Sequence, residues 1–202
     1  RISEVGCLGL CFAEPLVDVE KPGFPRMLFK NVTPERVPDL LESYLVGDTS
    51  PTGMALATLG KGNVPGIPRL EELPQWKHQV RIATRNCGEI DPKDIDEYIL
   101  NGGYEGLAHA LDEMSPQEVM DEVSLSGLRG RGGAAFPTAT KWSFLARSSG
   151  PTKYILVNCE EGDPGAFNDK GILESDPHTL LEGTIVAGYA TGANFGYVFI
   201  RH

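Results

Sequence analysis

Apolar positions come in short bursts through the first fifty residues and take up helical spacing only later in the chain. Pro15-Leu16-Val17-Asp18-Val19 alternates enough to predict a short strand. Gly23 and Pro25 mark a turn, and Met27-Leu28-Phe29 predicts a second strand. Thr33-Pro34 reads as N-cap and first helical residue of a helix with Val37, Leu40, Leu41 and Tyr44 on one face, ended by Gly47. Residues 1–50 therefore read as one unit. Residues 51–78 are rich in Gly and Pro without sustained periodicity and read as a linker. Val80-Arg81-Ile82-Ala83 alternates briefly, as a strand would.

From residue 91 the period lengthens. Asp91-Pro92 places a capping carboxylate before a proline, with Ile95, Tyr98 and Ile99 as the inward stripe and Asn101-Gly102-Gly103 as the stop. A second helix is expected over 104–113. Ser115-Pro116-Gln117-Glu118 is a capping box for a third, with Val119 and Val123 inward. Lys153–Val157 is the clearest buried-strand pattern in the chain. Asp176-Pro177 opens a last helix with Leu180, Leu181, Ile185 and Val186 toward a core, and Tyr197–Ile200 returns as a strand. Strand, helix and strand in that order imply a parallel βαβ unit in an α/β sheet.

Composition adds exclusions. With 202 residues, 41% apolar and 23% charged, the chain suits one domain or two small ones with real cores. A formal charge of −10 argues against a nucleic-acid or anionic-membrane binder, since both need a basic surface. It leaves room for a nucleotide, because one Lys and a few backbone N–H groups hold a phosphate locally. No run of apolar residues approaches membrane-spanning length. The chain begins at Arg1 without a signal-peptide pattern and stops as a strand finishes, so it reads as a piece of a longer protein. The 4 cysteines are too few and uneven for a disulfide framework, which favours a reducing cytoplasm.

Three loops carry residues suited to chemistry. Gly127–Gly133 lets successive backbone N–H groups converge on an anion, with Arg129, Arg131 and Lys141 as fixed positive charge. It is not a G-x-G-x-x-G fingerprint, and a predicted helix rather than a strand precedes it. Glycine richness alone would favour a flexible surface loop; Phe136, Pro137, Lys141 and Trp142 turn the balance toward a pocket. The acidic turn Asn158-Cys159-Glu160-Glu161-Gly162-Asp163 follows the clearest strand, where ligands of α/β proteins gather, yet a solvated acidic loop explains it almost as well. Cys7 and Cys11, four apart around Gly9, either share one iron of a cluster or are paired by chance. Cys87 and Cys159 read as incidental, and His78, His109, His178 and His202 have no ligand spacing.

Taken in register, these segments resemble one family. Ser126–Trp142 and Asn158–Lys170 are similar to the FMN and NADH motifs of the flavoprotein subunit of NADH dehydrogenases, the 51 kDa type of respiratory complex I. The same subunit type occurs in NAD(P)-reducing and electron-bifurcating hydrogenases and in NAD-linked formate dehydrogenases, and Arg85-Asn86-Cys87-Gly88, Asp91-Pro92, Gly102-Gly103-Tyr104 and Ser126–Arg131 resemble the hydrogenase-type branch in particular. Gly6–Cys11 with Glu14–Val17 resembles the second half of a thioredoxin-like [2Fe–2S] domain. The resemblance implies an α/β fold: a partial thioredoxin-like ferredoxin segment over 1–50, the linker 51–78, and the N-terminal part of an FMN/NADH-binding domain over 79–202.

It also implies roles. Gly130, Arg131, Gly132, Gly133 and Lys141 would line FMN, with Asn158, Glu160 and Glu161 near its ring. Phe136, Phe144, Glu161 and Asp163 would meet NADH or NADPH, and Cys7 and Cys11 would be half of a [2Fe–2S] ligand set. A [4Fe–4S] motif is expected beyond residue 202. The implied chemistry is hydride transfer from nicotinamide to flavin, then single electrons passed to iron–sulfur partner subunits of a multisubunit complex, with no protein nucleophile. Such a complex would be cytoplasmic, or lie on the cytoplasmic face of a membrane. Asp163 stands where complex I members usually have Glu, Glu160 where they have Asp, and Ala135 and Ala139 where they have Gly. The reading from another class is an electron-carrier or assembly module without NADH chemistry. A third is an iron–sulfur subunit of an ion-pumping complex.

Overall fold

The computed structural model describes residues 1–49 and 53–201. Ser50, at the end of the expected first domain, Pro51 and Thr52, at the start of the expected linker, and His202 lie outside the described residues. The chain divides into two compact units, Leu8–Ile82 and Arg1–Cys7 with Ala83–His202.

The unit over 8–82 is built on a three-stranded antiparallel sheet in the order β1 (Val17–Val19), β2 (Arg26–Phe29), β3 (Ala55–Leu59). β2 lies in the middle, and its two faces feed two separate cores. Met27 and Phe29 join Val32, Leu40, Tyr44 and Met54, while Leu28 joins Leu8, Leu10, Ala57, Leu59, Leu70 and Leu73. Successive strand residues point to opposite faces, so a strand buried on both sides reads as an unbroken apolar run. The predicted helix forms as three short pieces: a 3-10 turn Pro34–Arg36, α1 (Val37–Leu40) and a π-helical turn Leu41–Val46 ending at Gly47. Leu40 and Tyr44 are buried, whereas Val37 and Leu41 are largely exposed. Tyr44 packs edge-on against Phe29 at 5.1 Å and donates its hydroxyl to the Pro25 carbonyl.

Two expectations fail here. The segment expected as a linker contains β3, paired to β2 through Leu28↔Ala57 and Arg26↔Leu59, and its Leu70 and Leu73 are core residues. Turns at Gly53 and Gly60 bracket a strand made mostly of Ala and Leu, whose weak β-propensity hides it. Val80 and Ile82, expected in a strand, are 86% and 70% exposed and pair with nothing among the described residues.

The other unit is the α/β one. Three helices, α2 (Ile95–Leu100), α3 (Glu105–Glu113) and α4 (Pro116–Leu125), precede α5 (Thr138–Ala146), β4 (Tyr154–Cys159), α6 (Asn168–Ser175), α7 (Pro177–Thr191) and β5 (Phe195–Ile200). α2 begins later than expected. Asp91 accepts from the Lys93 N–H in a turn, and Asp94 is the cap, accepting from Asp96 N–H at 3.0 Å. Of its predicted stripe only Tyr98 is fully buried; Ile95 and Ile99 are half exposed. The Ser115–Glu118 capping box forms as read, with Ser115 N–H to Glu118 Oε2 at 2.8 Å. β4 and β5 pair in parallel from Tyr154↔Phe195 to Cys159↔Ile200, confirming the βαβ unit.

The strand expected to be buried is covered on one face only. Leu156 is 76% exposed, because α7 packs against the other face and no described element covers this one. Leu181 and Ile185 of α7 are likewise exposed. Among the described residues no helix is long and apolar enough to cross a membrane.

Candidate functional site: a glycine loop and an acidic turn

The glycine loop is a narrow, hairpin-like excursion between α4 and α5. Gly127 ends α4 with a left-handed φ of 68°. Thr138 N–H donates to the Leu128 carbonyl at 3.0 Å and Gly130 N–H to Phe136 at 2.9 Å, closing the base of the loop. Arg129 joins that closure by donating to the Ala135 carbonyl at 3.1 Å. Among the described residues the backbone N–H groups of Arg131 through Ala135 have no protein acceptor. A Cβ added at Gly132 or Gly133 would meet nothing, so both flank open space. Gly133 and Ala135 take left-handed φ values of 100° and 49°, the kind of backbone from which anion-binding concavities of successive amides are built.

The loop runs directly into the first turn of α5, whose cap residue Pro137 supplies no side-chain acceptor. Unspent amides and the positive end of a helix therefore lie together. Lys141 is exposed on the same helix, and neither it nor Arg131 has a side-chain partner among the described residues. The Phe136 and Phe144 rings stand 6.3 Å apart, tilted 48°, and are 45% and 56% exposed. The two residues expected to share a cleft are thus neighbours, and neither is core. Arg147 stacks on Phe144 at 5.7 Å.

The acidic turn is differently made. Asn158 Oδ1 accepts from Glu160 N–H at 3.0 Å, and Glu160 Oε2 accepts from Gly162 N–H at 2.8 Å. Glu161, in a left-handed conformation at φ 46°, turns its carboxylate back onto the start of α6. There it accepts from the N–H groups of Asn168, Asp169 (2.9 Å) and Lys170 (2.8 Å). Burial pushes the Glu161 pKa up, but those three donors and the Lys170 charge outweigh it and hold the group below the ordinary carboxylate value. Burial and the Glu161 charge raise Asp169. Burial, Asp169 and Glu161 also raise the Cys159 thiol. Asp163 has no side-chain partner among the described residues. Of the turn's three carboxylates, the structure ties Glu160 and Glu161 to local backbone.

Two groups that the sequence did not single out hold the loop-bearing helix and the turn-bearing strand in place. Lys153 donates to the carbonyls of Ala146 (2.8 Å) and Thr191 (3.3 Å), the C-terminal ends of α5 and α7, where a cation is favoured. Trp142 and Ala146 of α5 pack on a core that includes Val186, Tyr189 and Ala190 of α7. The second group is a buried polar chain. Asn86 donates to Asp176 at 2.8 Å, and Tyr98 donates to Glu182, whose carboxylate also takes the N–H groups of Tyr104 (3.0 Å) and Leu107 (3.1 Å) at the start of α3. Burial, and the bond to Glu182, push Tyr98 up to about 12. His178, which has no ligand spacing in the sequence, joins this chain: its Nδ1 lies 2.8 Å from the Tyr104 hydroxyl.

Cys7 is the last residue of the N-terminal segment of one unit, and Cys11 opens a 3-10 turn in the other; neither takes part in a disulfide among the described residues.

Residues 123–202 match the family model of the Nuo51 FMN-binding domain. The chain is 54% identical over 125 residues to the NADP-reducing hydrogenase subunit HndC of Solidesulfovibrio fructosivorans, covering 62% of this chain and 25% of that protein. It is 52% identical over 137 residues to the F-type NADH-quinone oxidoreductase subunit of Aquifex aeolicus, covering 68% of this chain and 31% of that one. A solved NAD+-reducing [NiFe]-hydrogenase in the air-oxidised state aligns with 86% of this chain and 26% of its own at 24% identity, TM-score 0.46. The family match and the two relatives support a subunit of the complex I 51 kDa type, as the motifs imply. The chain spans between a quarter and a third of the length of the curated relatives named here.

Proposed function

We propose that this chain is the FMN-site portion of a flavoprotein that oxidises NADH or NADPH and delivers electrons to iron–sulfur partners in a multisubunit complex. The observation that carries the reading is the composition of the glycine loop: backbone N–H groups and two cations without partners among the described residues, a helix N-terminus and a pair of exposed phenylalanines. A phosphate-bearing flavin fits that donor set, since an anion takes the amides and the charge while rings offer stacking to a planar base.

On this reading Gly130, Arg131, Gly132, Gly133 and Lys141 hold the phosphate and ribityl end of FMN. Asn158 and Glu160 lie toward its ring, and Glu161 fixes the turn that carries them. Phe136, Phe144 and Asp163 receive the dinucleotide. FMN, when bound, supplies the chemistry of taking two electrons together and releasing them singly. The protein's own part is to bind, orient and shield; no side chain is asked to act as a nucleophile. Cys7 and Cys11 supply half of a [2Fe–2S] ligand set by their sequence context.

One observation favours the electron-carrier or assembly reading: Glu160 and Glu161 are occupied by local backbone, as in a purely structural turn. The full-length parent decides between them. It should copurify with a flavin that chromatography of the released cofactor identifies as FMN, and it should reduce an artificial acceptor with NADH or NADPH. A flavin-free parent that is inert toward both nucleotides would leave the carrier reading in its place.

A further inference from the structure

We propose that Arg201 is a positioning residue for the acidic turn, acting through Glu160; the inference rests on the flavoprotein reading above. The parallel register that ends at Cys159↔Ile200 delivers the next residue of each strand, Glu160 and Arg201, side by side. Arg201 Nη1 lies 3.4 Å from Glu160 Oε1 and donates to the Gly162 carbonyl at 3.2 Å. Glu160 uses its other oxygen on the Gly162 N–H at 2.8 Å. Gly162 is therefore held on both sides of its own backbone, by one guanidinium and by the carboxylate that the guanidinium orients. A Cβ there would stand 2.6 Å from Glu160 Oε2 and 2.9 Å from Arg201 Nη1, so a side chain would displace both.

An ion pair as exposed as this contributes little to stability, which leaves geometry and local charge as its use. The turn and the helix after it gather Glu160, Glu161, Asp163 and Asp169, a concentration of negative charge that an anionic dinucleotide would meet on the flavoprotein reading. Helix amides take the Glu161 charge, and Arg201 takes that of Glu160. The Lys170 ammonium, whose charge also favours ionised Glu161, makes its ion pair with Glu174 at 3.7 Å and not with Glu160. Arg201 thus sets both the shape of the turn and how strongly it repels the nucleotide.

The test uses the full-length, FMN-loaded protein with Arg201→Ala, Arg201→Lys, Glu160→Gln and the Arg201→Ala/Glu160→Gln double variant. Arg201→Ala should raise KM for NADH about fivefold with kcat within about twofold, and Arg201→Lys should recover most of the loss. The double variant should be no worse than Arg201→Ala, because residues acting through one contact are not additive. By hydrogen exchange, the amides of Gly162 and Ala166, which are hydrogen-bonded within the turn, should lose protection in Arg201→Ala while flavin content and melting temperature hold. Unchanged exchange, additive effects in the double variant, or joint loss of flavin and stability would each overturn the assignment. Were the parent inert toward NADH, the functional reading would fall by itself, and the exchange measurement would still decide whether Arg201 pins the turn.

Discussion

The glycine loop and the acidic turn look equally promising as sequence, yet they spend their polar groups in opposite ways. The loop closes at its base with two backbone bonds and leaves the amides of its tip unspent. The turn consumes its own charge: Glu161 caps α6 and Glu160 folds onto Gly162. An amide without an acceptor is a binding group held ready, whereas a carboxylate already taking three N–H bonds is a structural one. Density of chemically capable residues is therefore a poor measure of a site. What counts is how much of their bonding capacity the fold has left free.

The comparison breaks most visibly at Lys141. If the loop is the open half, Lys141→Ala in the full-length protein should cut FMN affinity by roughly tenfold to a hundredfold, the range for a charged hydrogen bond. Flavin occupancy after gel filtration is the measurement, and the melting temperature of the apoprotein should stay put because Lys141 is exposed. Next in size is Phe144. Loss of a ring stacked on a base costs on the order of 1–3 kcal/mol, so Phe144→Ala should raise KM for NADH about tenfold. With the ring 56% exposed, thermal stability should fall far less than for a core phenylalanine. Large destabilisation with normal NADH kinetics would place Phe144 in the core and favour the carrier reading.

Glu161 sharpens the other side. Glu161→Ala removes the acceptor for three amides, and their exchange should quicken by about tenfold or more, whereas Glu161→Gln, which keeps one carbonyl, should stay within about threefold of the parent. A Gln variant that keeps α6 protected but loses NADH affinity would show that the charge serves the ligand instead. Acid gives the same contrast without mutation. The Glu161 pKa is lowered in the folded state, so its contribution is fully present above the ordinary carboxylate value and is lost as pH falls through the folded one. Asp169 runs the other way: raised, it opposes folding at neutral pH and is relieved by acid. Protection of the Asn168 to Lys170 amides should hold down to about pH 4.5 and decline below it, while the glycine loop responds little.

How legible was this in the sequence? Elements with a local signal came through: the Ser115–Glu118 box, the Asp176-Pro177 start of α7 and the order β4, α7, β5. The cap at Asp94 was misplaced to Asp91 because both sit before a plausible first turn and only the fold decides between them. β3 was invisible because its partner, β2, lies more than twenty residues away and its own residues are indifferent strand formers. The proximity of Phe136 and Phe144 was readable, since it follows from a loop and a helix start close in the chain. The direction of the Glu161 carboxylate was not, nor were Lys153 and Glu182, since each acts on backbone groups of a distant element.

The smallest effect tests the loop's shape itself. Ala135 occupies a left-handed conformation at φ 49°, which costs an L-residue roughly 1–2 kcal/mol. Replacing it by glycine removes that strain but adds about 0.5–1 kcal/mol of chain entropy to be lost on folding. The difference favours glycine, so Ala135→Gly should stabilise the protein by no more than about 1.5 kcal/mol. Ala135→Val meets the same backbone with a β-branched side chain, for which positive φ is a true outlier, and should destabilise by about 1 kcal/mol or more. Paired denaturant titrations of the two variants measure both. Equal stability of Val and Gly would mean that residue 135 is not left-handed. The unspent amides of the tip would then not converge on one anion, and the open half of the comparison would lose its geometric basis.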